Sequence, residues 1–97
     1  PNINDIKRKG VKAMKIFFST IGYKVRVIWS PNPTQIGIEG RVIDDTFNTL
    51  VIMKNNGEII RIGKKGCVFE FIKNSDKVMR ISGNDLIGDY IRRLSKI

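Results

Sequence analysis

Three groupings in the sequence bring together side chains capable of chemistry: the adjacent carboxylates Asp44-Asp45, the single cysteine Cys67, and the turn Gly63-Lys64-Lys65-Gly66 just before it. None assembles a catalytic centre. The chain has no histidine, so the commonest general base and metal ligand is missing. Asp44 and Asp45 could contribute to a metal site, but neighbours on a strand point to opposite faces and Asp44-Asp45-Thr46-Phe47-Asn48 has the composition of a turn. Cys67 shares a period-two face with Phe69 and Phe71, which predicts a buried core thiol rather than a nucleophile, and one cysteine forms no internal disulfide. The glycines of Gly63-Lys64-Lys65-Gly66 would expose backbone N–H groups beside two ammonium groups, so the turn is either an RNA-backbone contact or simply solvated. It lacks Walker-loop spacing, which removes support for nucleotide hydrolysis.

The aromatic residues divide in a similar way. Phe69 and Phe71 could stack bases, but a domain this small needs them in its core. Trp29, beside Ser30-Pro31-Asn32-Pro33, and Phe47, in the polar turn, are candidates for exposed contacts or for lids over the core.

Charge carries the strongest functional signal. Eighteen Lys and Arg against nine Asp and Glu leave a net +9, which fits a nucleic-acid partner better than a membrane surface or an acidic protein. The distribution is uneven: residues 1–30 hold seven basic and one acidic side chain, residues 31–60 two and four, and residues 61–97 nine and four. Both ends are cationic. Lys7, Arg8, Lys9, Lys12 and Lys15 at one end, Arg92, Arg93 and Lys96 at the other, and the Lys64-Lys65 turn are therefore the candidate phosphate contacts. The alternative is a pair of solvated terminal helices. Many separated phosphate contacts would recognise folded RNA by shape, with a steep salt dependence.

The elements that must position these residues are mostly strands. At 97 residues there is room for one domain, and no window approaches the roughly 20 apolar residues of a membrane span, so a soluble protein is expected. Val25, Val27 and Trp29 alternate with Lys24, Arg26 and Ser30. The prolines of Ser30-Pro31-Asn32-Pro33 stop that strand. A second run covers Ile36 to Asp44, with Ile36, Ile38 and Val42 on one side and Gly40 suggesting a bulge or sharp bend. Leu50-Val51-Ile52-Met53 and Ile59-Ile60-Arg61-Ile62 flank Asn55-Asn56-Gly57 as a hairpin, and Cys67 to Ile72 and Lys77 to Ile81 complete six short strands. Such strands predict an all-β core, a small antiparallel barrel that removes exposed edges. The ends read as helices, Asn4 capping one through about Thr20 and Asp89 capping Tyr90 through Lys96 with Ile91 and Leu94 on one side. The domain reading is a basic helical extension over residues 1–20, part of the mature protein, and a barrel with its C-terminal helix over 21–97. Ile16, Phe17 and Phe18 are consecutive and cannot all face one core, which makes them candidates for a protein partner.

The ordered strings carry a family resemblance. Ser30-Pro31-Asn32-Pro33 with Ile36-Gly37-Ile38-Glu39-Gly40-Arg41-Val42-Ile43-Asp44-Asp45-Thr46-Phe47-Asn48-Thr49-Leu50-Val51-Ile52, followed by Lys64-Lys65-Gly66-Cys67-Val68-Phe69-Glu70-Phe71, resembles the archaeal ribonuclease P protein component one family, counterpart of a eukaryotic subunit shared by ribonuclease P and ribonuclease MRP. The likeness runs from about Ile21 to Leu94. It implies a Sm-like or SH3-like barrel of six to seven strands, flanked by terminal helices. It also implies a non-catalytic, cytoplasmic RNA-binding subunit that helps an RNA catalyst remove the 5′ leader of precursor tRNA. The implied partners are ribonuclease P RNA and a zinc-ribbon protein, with precursor tRNA met indirectly and no membrane. No cofactor would be bound by this chain, Mg2+ being held by the RNA. The family's usual Gly-Arg-Pro opening of the last helix is replaced by Gly88-Asp89-Tyr90, while Arg93 keeps the place of the usual arginine. The principal alternative is a Sm-like module of another ribonucleoprotein; a protein-only nuclease is a third class.

Overall fold

The computed structural model describes residues 19–75 and 77–95, with side chains through Arg92. The candidate N-terminal helix, the cations Lys7, Arg8, Lys9, Lys12 and Lys15, the apolar run Ile16-Phe17-Phe18, Lys96 and the side chains of Arg93 and Leu94 lie outside the described residues. Among the described residues six strands form one antiparallel sheet: β1 (Lys24–Trp29), β2 (Glu39–Asp45), β3 (Thr49–Lys54), β4 (Ile59–Gly63), β5 (Val68–Asn74) and β6 (Lys77–Ser82), followed by helix α1 (Gly83–Ser95). Their spatial order is β4-β3-β2-β1-β5-β6.

Period-two alternation decides which side chains are buried. Val25 and Val27 of β1, Val42 of β2, Leu50 and Ile52 of β3, Ile62 of β4 and Phe69 and Phe71 of β5 join Cys67 and Leu86 in one core. Laid flat, six strands about 4.8 Å apart would span about 24 Å. Ile62 on one edge and Phe69 near the other share a cluster because the sheet is strongly bent around it. Register shifts supply bending points, between Val27 and Trp29, Val42 and Asp44, and Ile72 and Asn74.

Three local expectations need correction. Ile36 is not on the second strand: Pro33–Gln35 form a 3-10 turn whose cap Asn32 accepts a hydrogen bond from Thr34 N–H, and Gly37 turns the chain at φ +91°. The strand begins at Glu39, and Ile36 is exposed. Gly40 does not mark the bulge, which falls at Ile43. Its hydrogen instead permits close approach of β3, since a Cβ there would lie 2.3 Å from the Met53 carbonyl oxygen.

The last helix starts seven residues earlier than the Asp89 cap predicts. Ser82 Oγ accepts from Asp85 N–H at 3.0 Å, and Asp85 stands in the first turn near the positive end of the helix dipole. Leu86 is buried and Tyr90, one turn on, is partly buried, whereas Ile91 is 50% exposed. The buried stripe thus runs through Leu86 and Tyr90, and Ile91 lies off it.

Candidate nucleic-acid interface

The turn between β4 and β5 separates its two lysines completely. Lys65 is exposed, while the Lys64 side chain is 0% accessible. The Lys64 Nζ donates to Asp45 Oδ1 and to the Thr46 carbonyl, each at 2.6 Å, and lies 5.2 Å from the centroid of the Tyr90 ring. Asp45, whose side chain is 5% accessible, accepts a further bond at Oδ2 from Thr20 Oγ1 at 2.6 Å. The ammonium is thereby paired and hydrogen-bonded, as a buried cation must be. Lys64 is therefore corrected from phosphate contact to structural cation, since no phosphate reaches a side chain sealed beneath Tyr90 and the β2–β3 turn. Gly83 closes the same region: its N–H bonds the Cys67 carbonyl, and a Cβ on it would lie 1.6 Å from the Lys64 carbonyl oxygen.

Asp44 and Asp45 are the last two residues of β2 rather than part of the turn that their composition predicts, and they diverge as neighbours on a strand do. Asp44 is exposed and accepts from the Asp45 N–H, while Asp45 points to Lys64. Among the described residues no three His, Cys, Asp or Glu side chains are grouped as metal ligands. Cys67 is a core thiol whose Sγ donates to the Gly63 carbonyl at 3.1 Å. Phe69 and Phe71 are core, with Tyr23 edge-on to Phe71 at 6.5 Å. Trp29 is 55% exposed, and Phe47 packs on Tyr90 with ring centroids 5.8 Å apart, a partial lid over Lys64. No helix among the described residues is long and apolar enough to cross a membrane.

The concentration of exposed charge lies on the outward face of the central strands. Across β2, β1, β5 and β6 one row reads Glu39, Arg26, Glu70, Arg80, and the next reads Arg41, Lys24, Ile72, Val78. In the first row Glu70 bridges Arg26 at 3.4 Å and Arg80 at 3.3 Å. Lys24 reaches diagonally to Glu39 at 3.5 Å. These exposed pairs add little stability, but they hold the cations side by side on the outer surface. The face carries four cations against two carboxylates, with Lys73 and Lys77 exposed at the β5–β6 end. Sequence reasoning did not single it out. Its signal lay in the residues alternating with Val25 and Val27, and only the register shows that β2, β5 and β6 align theirs beside them.

The family model for the p29 subunit of ribonuclease P/MRP matches residues 16–96. The chain belongs to that family. It is 42% identical over 81 residues to ribonuclease P protein component 1 of Pyrococcus furiosus, and 43% identical over 76 residues to that of Methanocaldococcus jannaschii. These alignments take in 84% and 78% of this chain, and 63% and 79% of the two relatives. The chain thus spans less than two thirds of the Pyrococcus furiosus protein's length. Among solved structures it is similar to Mth11, described as a homologue of human RNase P protein Rpp29, with 36% identity and a TM-score of 0.56 over 68% of this chain and 85% of the other. The strings that carry the resemblance are mostly architectural here: Gly40, Val42, Asp45, Leu50 and Ile52 in the first, and Lys64, Gly66, Cys67, Phe69 and Phe71 in the second, are buried, ion-paired or conformationally constrained. Of the sequence-predicted cations within reach, Lys65 is exposed on the 64–66 turn, and Arg92 is exposed on α1 with its Nη1 3.0 Å from Asp89 Oδ1.

Proposed function

We propose that this p29-family chain is an RNA-binding, non-catalytic subunit of a cytoplasmic ribonuclease P. It binds the ribonuclease P RNA through phosphate contacts and supports RNA-catalysed removal of the 5′ leader from precursor tRNA. The observation that carries the reading is the outward sheet face, where four cations stand against two carboxylates in a chain of net +9. An exposed array of cations on the outer side of a bent sheet suits the backbone of a folded RNA, because it makes separated phosphate contacts without reading base edges. Chemistry is left to metal ions held by the RNA; this chain supplies positive charge and a rigid shape. Lys7, Arg8, Lys9, Lys12, Lys15, Lys65, Arg92, Arg93 and Lys96 extend the contact toward the termini. A zinc-ribbon subunit docks on Ile16, Phe17 and Phe18.

Reconstitution tests the reading. Ribonuclease P RNA with the other protein subunits should cleave precursor tRNA faster at moderate Mg2+ when this chain is added, and the chain alone should not cleave. Equal rates with and without it, or metal-dependent cleavage by the RNA-free chain, would overturn the proposal.

A further inference from the structure

The two rows of the outward face differ in a way that points to one site. Glu39, Arg26, Glu70 and Arg80 alternate in sign and neutralise one another. In the second row Arg41 and Lys24 are direct cross-strand neighbours, followed by the apolar Ile72 and Val78. Two adjacent cations with no carboxylate in their own row repel each other, which costs stability unless an anion joins them. They open onto a solvent-facing cleft of about 460 Å³, to which the register shift after Ile72 adds a third cation, Lys73. Among the described residues no Asp or Glu lines this cleft. The nearest charge compensation is Glu39, 3.5 Å from Lys24.

The cleft is held in shape. Its upper wall is the turn leading into β1, where Gly22 has φ +92°, Tyr23 N–H bonds the Thr20 carbonyl and Gly22 N–H bonds the Val42 carbonyl at 2.8 Å. Arg41 Nη1 donates to the Gly22 carbonyl at 2.6 Å. That bond fixes the guanidinium while using one of its five donors. Asn74 supplies a polar group at the opposite wall.

We infer that this cleft, formed by Lys24, Arg41 and Lys73, is a phosphate-binding site that seats a backbone phosphate of the RNA. The RNA as the source of that phosphate rests on the functional proposal above. The anion chemistry of the cleft stands on the geometry. Strands about 4.8 Å apart place three cations around one small anion, and a planar guanidinium beside two ammonium groups is the donor set that phosphate oxygens take.

Lys73→Ala is the cleanest variant, since Arg41→Gln also removes the tie to Gly22. Affinity for ribonuclease P RNA, measured from about 50 to 500 mM salt, should fall about 3- to 10-fold at moderate salt, and the log–log slope should flatten by about 0.7–0.9. Lys73→Glu should lose more, and Lys54→Ala, on a cation paired to Glu58 at 3.1 Å away from the cleft, should change neither. Alongside, pyrophosphate titrated into the wild-type chain should saturably shift the amide resonances of Gly22, Lys24 and Asn74. If the wild type binds RNA but Lys73→Ala and Lys73→Glu match it in affinity and slope, the cleft is not the RNA site and the functional proposal survives. If the wild type binds no RNA while pyrophosphate saturates the cleft, the RNA reading falls and the anion site stands. No shift with pyrophosphate and unchanged variants together would overturn the inference entirely.

Discussion

Replacing Lys64 with methionine should cost the domain about 3–5 kcal/mol, although the neighbouring Lys65 is dispensable for folding. The methionine keeps most of the buried stem but deletes the ammonium, leaving the Asp45 carboxylate, 5% accessible, without the cation 2.6 Å away, and removing a donor from the Thr46 carbonyl. Breaking one side of a buried ion pair typically costs about 3–5 kcal/mol, because the remaining charge has been taken out of water without compensation. Loss of the cation 5.2 Å from the Tyr90 ring, which is desolvated, adds to this by up to about 2 kcal/mol. Against a total stability of roughly 5–15 kcal/mol for a domain of this size, such a loss brings the variant near its folding limit. Urea unfolding followed by circular dichroism would measure it: with a slope of about 1 kcal/mol/M, the midpoint of Lys64→Met should fall by about 3 M or more, or the variant should be unfolded without urea. Asp45→Ala should be similarly destabilised, and the double variant should lose much less than the two costs added together. A Lys64→Met variant within about 1 kcal/mol of wild type would refute the argument that this pair holds the β2–β3 turn, α1 and Thr20 together.

The adjacent Lys65→Ala should change stability by less than about 0.5 kcal/mol, while lowering RNA affinity and flattening the salt slope by about one unit in filter binding; wild-type affinity would make this lysine a solvated turn residue. Gly83→Ala should destabilise the fold by at least about 1–3 kcal/mol in the same urea assay, because its Cβ would meet the Lys64 backbone carbonyl at 1.6 Å and the start of α1 must move. Phe17→Asp or Phe18→Asp should weaken association with the zinc-ribbon subunit, measured by calorimetry, more than it shifts the unfolding midpoint; equal losses would make these residues core.

The strands were legible because a sheet with one buried face writes its burial into alternate residues. Val25, Val27, Phe69 and Phe71 are core for that reason, and Cys67 with them. What escaped the sequence are contacts that join distant segments. Lys64 and Asp45 are nineteen residues apart, and nothing in Gly63-Lys64-Lys65-Gly66 tells which lysine turns inward; only the placement of Asp45, held by Thr20, and of the Tyr90 ring beside the Lys64 ammonium decides it. The start of α1 was within reach, since Ser82-Gly83-Asn84-Asp85 has the spacing of a capping box, but the strand pattern through Ile81 concealed it. The Lys24–Arg41–Lys73 cleft combines three strands separated by 17 and 32 residues in sequence, so only the antiparallel register could show it.

The central claim is that this chain works on one structured RNA, and the most direct measurement is recovery of that RNA. The full-length chain, affinity-tagged and purified from cell extract at moderate salt, should bring down a single abundant RNA able to support 5′ leader cleavage of precursor tRNA. It should release that RNA as salt is raised. Recovery of no enriched RNA, or of an RNA inactive on precursor tRNA with the subunits added back, would contradict the account.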